Sequence, residues 1–144
     1  MEQLFNLPEV KDINYIRTRK AIEKFFNDYL LMRLMAGSCK LPTMTTTYKI
    51  TPPTFSNEFH SKVEDAAIHN VDNVHTAQES VKRYEAILNQ LDHMHRKILF
   101  EKYIHGYQDK EIMLDIPYEV RQYRREKRKA VIELATALGI EVLN

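Results

Sequence analysis

The chain carries one cysteine, Cys39, in 144 residues. No internal disulfide can form and a thiolate zinc cluster is excluded, which fits a reducing compartment. With only 3 glycines and 5 prolines, few tight turns are available, so helices are expected rather than a sandwich or barrel. No apolar run is long enough to span a bilayer. The opening MEQLFNLPEVKD lacks a basic segment followed by an apolar one, so it does not read as a signal peptide. A cytoplasmic protein with no membrane partner is expected. The sequence contains no glycine-rich phosphate loop, no HExxH and no acidic calcium loop. No nucleophile stands beside a clear base. No enzyme, cofactor, metal site or small-molecule substrate is therefore expected.

Net charge is +1, yet the charge is segregated. Residues 57–91 set Lys62, Lys82 and Arg83 against Glu58, Glu64, Asp65, Asp72, Glu79 and Glu85, a net of −3. Residues 119–133 set Arg121, Arg124, Arg125, Lys127, Arg128 and Lys129 against Glu119, Glu126 and Glu133, a net of +3.

Apolar spacing divides the chain into four parts. Residues 1–36 form an N-terminal amphipathic arm. Ile22, Phe25, Phe26, Tyr29 and Leu30 recur at helical spacing, Asp12 or Asn14 serves as cap, and Gly37 ends the helix. Residues 37–56 read as a Thr/Pro-rich linker, because Pro52–Pro53 forbids a helix and TTTYKI has no obvious strand partner. Residues 57–91 form one long helix or two, capped by Ser56, with a weak point at HNVDN (69–73). Val74, Ala77, Val81, Tyr84, Leu88 and Leu91 make a heptad-like seam. It packs inside the chain or joins a homodimer. Residues 92–144 form the last unit, starting with a helix over 93–105 capped by Asp92, with Ile98, Leu99 and Tyr103 inward and Gly106 at its end.

Within that unit a short helix over 109–115 is expected, with Asp109 as its cap and Ile112 and Ile116 on one face. Pro117 forces a turn. A second helix from about 119 to 138 turns Tyr123, the Lys127 stem, Val131, Leu134 and Leu138 inward, with Gly139 at its end. Arg121, Arg124, Arg125 and Arg128 stand at i, i+3, i+4 and i+7, which puts them on one face as an outward ridge. Glu119, Glu126 and Glu133 relieve part of its self-repulsion; a polyanion would relieve more. Guanidinium groups suit two-pronged contacts to phosphate and guanine edges, and a helix of this width fits a major groove. Glu119, Val120, Arg121, Gln122, Arg124 and Arg125 are the candidate base-reading residues. Arg128 and Lys129 are candidates for the backbone. Ile112, Met113, Ile116, Pro117, Tyr118 and Tyr123 support the turn and its core. The bland alternative is a solvated charged face. His60, His69, His75, His93, His95 and His105 read mostly as surface residues, and Asp109, Glu111 and Asp115 are not expected to hold a metal, with Asp109 as the helix cap and Glu111 in its first turn.

The stretch from Leu88 and Leu91 through RKILFEKYIHGYQDKEI to the helix closing on Ala130 resembles the sigma-factor region that reads the −35 promoter element. Over residues 12–140, the TRKAIEKFFNDYLLMRLMAG segment, the Thr/Pro linker and the YRREKRKAVIELATALGI ending resemble the ArpU family of phage transcriptional regulators. The resemblance implies an all-α fold with a C-terminal, sigma region 4-like helix-turn-helix, control of late phage genes, double-stranded DNA as partner and host RNA polymerase as a candidate partner. Met113, Pro117 and Glu119 depart from the family's alanine, glycine and serine at those places. Two functions follow: a sequence-specific DNA-binding transcriptional regulator, or a phage structural, packaging or assembly module that holds DNA or protein without sequence preference.

Overall fold

Asn14 opens the first helix: its side-chain oxygen accepts from the Arg17 amide (3.1 Å), one of the amides that a helix start leaves without a partner. The computed structural model describes residues 9–37, 41–44, 48–51 and 71–144. Helix α1 spans Tyr15–Met35, and Gly37 follows it at φ 95°. Helix α2 spans Val71–Gln90. Helix α3 spans His93–Leu99 and runs on as a π-helical turn, Phe100–Ile104. Asp92 caps α3 by accepting from the Met94 amide (3.3 Å). Helix α4 spans Asp109–Ile112 and ends in a 3-10 turn, Met113–Asp115. Helix α5 spans Val120–Leu138 and closes on Gly139 at φ 71°, a left-handed cap that glycine adopts without steric cost.

The fold is all-α. Among the described residues there is no β-strand, only two isolated bridges, Ile13 with Leu143 and Met44 with Ile50. Residues 57–70 and the expected Ser56 cap lie outside the described residues.

One core joins α1, α2, α3 and α5. Ile22, Phe26 and Tyr29 of α1, Val81 and Leu88 of α2, Leu99 and Phe100 of α3, and Val131 and Leu134 of α5 are all buried in it. Four of the five apolar positions of the N-terminal helix are sealed in this core, with α2 and α5 covering that face. Ala77, Val81, Leu88 and Leu91 of the heptad-like seam are buried within the chain itself, and Tyr84 meets Phe25 edge-on (5.1 Å). A second cluster of Ile98, Ile112, Ile116 and Tyr123 holds α3, α4 and α5 together.

The described parts of the 37–56 segment are bound to the helices. Ile50 is buried, and the Asn89 side chain pairs with its amide (2.7 Å) and carbonyl (3.3 Å). Tyr48 takes a positive φ of 59°, a rare conformation for a bulky residue. Its carbonyl accepts from Arg96 Nη1. Arg96 is itself buried, and it also donates to the carbonyls of Leu88 (3.0 Å), Asn89 (2.9 Å) and Leu91 (2.7 Å). One guanidinium fork therefore satisfies the carbonyl end of α2 and pins the Tyr48 turn. A buried carbonyl left without a donor costs about 1–3 kcal/mol. Arg96→Ala is expected to lower unfolding stability by roughly 3 kcal/mol or more in urea denaturation. A loss under about 1 kcal/mol would show that the α2 end does not depend on this fork.

Candidate nucleic-acid interface

The turn before α5 is built without a left-handed residue. Ile116 is extended (φ −121°, ψ 135°), as a residue before proline prefers. Glu119 stands at the N-cap (φ −73°, ψ 164°) and makes no side-chain cap bond. Ile116 drops into the second cluster, with Met113 and Tyr118 partly buried around it, while Pro117 is exposed. Pro117 is thus accommodated in a turn whose Ile116 and Glu119 are both extended.

Asp109 fixes the phase of α5. It accepts from Tyr123 Oη (2.8 Å), from Lys127 Nζ (3.1 and 3.2 Å) and from Lys102 Nζ (3.2 Å). Burial pushes the Asp109 pKa up, but the hydrogen bonds from Tyr123, Lys127 and Lys102 outweigh it and hold the carboxyl below its ordinary value. The expected capping role is corrected. Gln108 is the cap of α4, in a reciprocal capping box with Glu111, so Asp109 is left to face α5.

With Tyr123 and Lys127 turned inward, the remaining polar residues of the first turns point out. Glu119, Val120, Arg121, Gln122, Arg124, Arg125, Arg128 and Lys129 are all exposed. Ile112, Ile116 and Tyr123 are buried beneath them. Among the described residues, Arg121, Arg124 and Arg125 have no ion-pair partner. Arg128 lies over the Tyr15 ring (5.0 Å to its centroid), and Lys129 reaches Glu126 (3.5 Å). The sequence placed all eight on the surface; it did not show that Tyr15 of α1 borders the ridge.

Of the expected relief of the basic run, only the contact of Glu126 with Lys129 lies within α5. The carboxylates of Glu126 and Glu133 turn toward α3 and grip His95, Glu126 at Nε2 (2.6 Å) and Glu133 at Nδ1 (2.9 Å). His95 is buried, against the reading of the histidines as mostly surface residues. No local signal could have found it, since its partners lie 31 and 38 residues away. Both ring nitrogens meet carboxylates, an arrangement that favours the charged imidazolium. Burial opposes its charge, but the hydrogen bonds to Glu126 and Glu133 and their charges raise its pKa above the ordinary value. The hydrogen bond from His95 holds Glu126 below the usual carboxylate range.

A raised histidine pKa stabilises the fold fully below its unfolded value, about 6.5, and that contribution fades as pH rises through the folded value. Stability is therefore expected to fall as pH rises above about 6.5, and His95→Gln is expected to lose that fall. Urea midpoints from pH 6 to 9 read the difference; identical profiles would contradict the clamp.

Among the described residues, no helix is long and apolar enough to cross a membrane, and no group of three or more His, Cys, Asp or Glu side chains is gathered to hold a metal ion. No family model matches the chain, and no solved structure matches it. It is 77% identical to Protein Gp66 of Listeria phage A118 over 144 residues, covering 100% of both chains. It is 41% identical to the uncharacterized phage-related protein Lin1259/Lin1739 of Listeria innocua serovar 6a over 142 residues, 99% of each. With full-length identity at these levels, the chain belongs to the family of phage proteins that contains Protein Gp66.

Proposed function

We propose that this phage protein is a sequence-specific DNA-binding regulator of phage or prophage transcription, late genes among them, of the ArpU type. Helices α4 and α5 work as a helix-turn-helix: the short helix and turn brace α5, and the first turns of α5 enter the major groove. One observation carries the reading. Arg121, Arg124 and Arg125 are exposed and have no carboxylate partner among the described residues, while Glu126 and Glu133 of the same helix meet His95, and Glu126 also Lys129. A helix that merely needed a soluble face would gain by pairing these charges along its surface. Arg121, Gln122, Arg124 and Arg125 reach base edges, with Arg able to fork onto guanine and Gln onto adenine. Val120, 51% exposed, offers an apolar contact for a thymine methyl. Glu119 accepts from a cytosine amine. Arg128 and Lys129 meet the backbone.

The protein acts in the host cytoplasm without catalysis of its own. Host RNA polymerase and a second copy of the chain are its proposed protein partners. Arg121→Ala and Arg125→Ala are each expected to cut discrimination between a preferred and a scrambled duplex by about 1–3 kcal/mol. Fluorescence anisotropy at fixed salt measures it. Unchanged binding by both variants would reject groove reading. Equal affinity of the wild-type protein for every duplex would turn the assignment to a packaging or assembly module.

A further inference from the structure

The start of α1 lies against the flank of the arginine ridge. The chain ends fasten it there. The Asn14 amide donates to the Val142 carbonyl (2.7 Å), the Val142 amide donates to Thr18 Oγ1 (3.1 Å), and the Asn144 amide donates to the Asp12 carbonyl (2.8 Å). Tyr15, the first residue of α1, then receives Arg128 over its ring at 5.0 Å. Arg19 follows Tyr15 by one helical turn on the same side, and exposed Lys20 stands next to it. Residues 15–24 hold Arg17, Arg19, Lys20 and Lys24 against the single carboxylate Glu23.

Neither Arg19 nor Lys20 has an ion-pair partner among the described residues. Arg19 Nε is buried with no hydrogen-bond partner, and so is the Tyr103 hydroxyl. Arg19 acts electrostatically on both the Tyr15 and Tyr103 hydroxyls, and Arg128 acts on Tyr15. Two cations from different helices thus converge on one aromatic corner with no carboxylate bound to either.

The spacing fits the border of a groove. Seven residues of helix separate Arg121 from Arg128, about 10 Å of rise, comparable to the depth of the major groove from base edges to rim, about 8.5 Å. With Arg121 at the base edges, Arg128 and the α1 corner come to the phosphate strand that walls the groove. We infer that Arg19 of α1, together with Arg128, forms a phosphate clamp that grips the DNA backbone beside the groove occupied by α5. The clamp rests on the groove reading of α5. It supplies affinity and register, not sequence preference.

Salt titrations of duplex binding separate the two claims. The full chain is measured by fluorescence anisotropy on a duplex selected from a random pool and on a scrambled duplex of equal length. Arg19→Ala is expected to reduce the slope of log affinity against log salt by about 1 and to weaken both duplexes equally. Arg19→Lys keeps the charge and is expected to retain the slope, which excludes a folding defect as the cause of the Arg19→Ala loss. A wild-type slope in Arg19→Ala, with Arg121→Ala still impaired, would overturn the clamp and leave the groove reading standing. Wild-type binding by Arg121→Ala and Arg125→Ala as well would overturn both.

Discussion

The orientation of the basic helix depends on Asp109. One carboxylate takes a hydroxyl from Tyr123 and ammonium groups from Lys127 and Lys102. Tyr123 and Lys127 are one turn apart on α5, so anchoring both fixes the rotation of that helix about its own axis. Arg121, Arg124, Arg125 and Arg128 then have only the outward side left. Apolar burial fixes the later turns through Ala130, Val131, Leu134 and Ala135 and the first turn through Tyr123 alone. Charge-assisted hydrogen bonds at the start of the helix are directional where hydrophobic contact is not.

The same economy of charge recurs elsewhere. Glu85, buried in α2, accepts from Tyr29 Oη (2.6 Å) and pairs with Arg33, so α1 and α2 share a desolvated carboxylate. Burial pushes the Glu85 pKa up despite those partners. Buried ion pairs of this kind add little net stability but penalise any arrangement that breaks them. In α5 the His95 clamp draws two glutamates inward. With Glu126 and Glu133 turned toward His95, the arginines are the dominant charge of the exposed start of α5.

Much of this was legible in the sequence, for local reasons. Asn14, Asp92 and Gly139 act as caps because capping needs only neighbours within one turn. The arginine ridge followed from residue spacing, and Ile112, Ile116 and Tyr123 from apolar periodicity around a proline. What could not be read depends on distant partners. Tyr29, Arg33 and Glu85 meet across more than fifty residues. Arg96 binds main-chain carbonyls, which no side-chain pattern announces. Asp109 was misread because a residue that can cap a helix carries no mark saying that Gln108 already does. The Thr-rich segment read as a linker because its anchors, Asn89 and Arg96, lie far along the chain.

The direct test is selection of bound fragments from a random duplex pool with the full-length wild-type chain, followed by sequencing. The account predicts enrichment of one short motif whose recovery falls as salt is raised. Recovery of sequences no different from the starting pool would contradict it and would leave the exposed arginines as a surface for holding nucleic acid or protein without reading sequence.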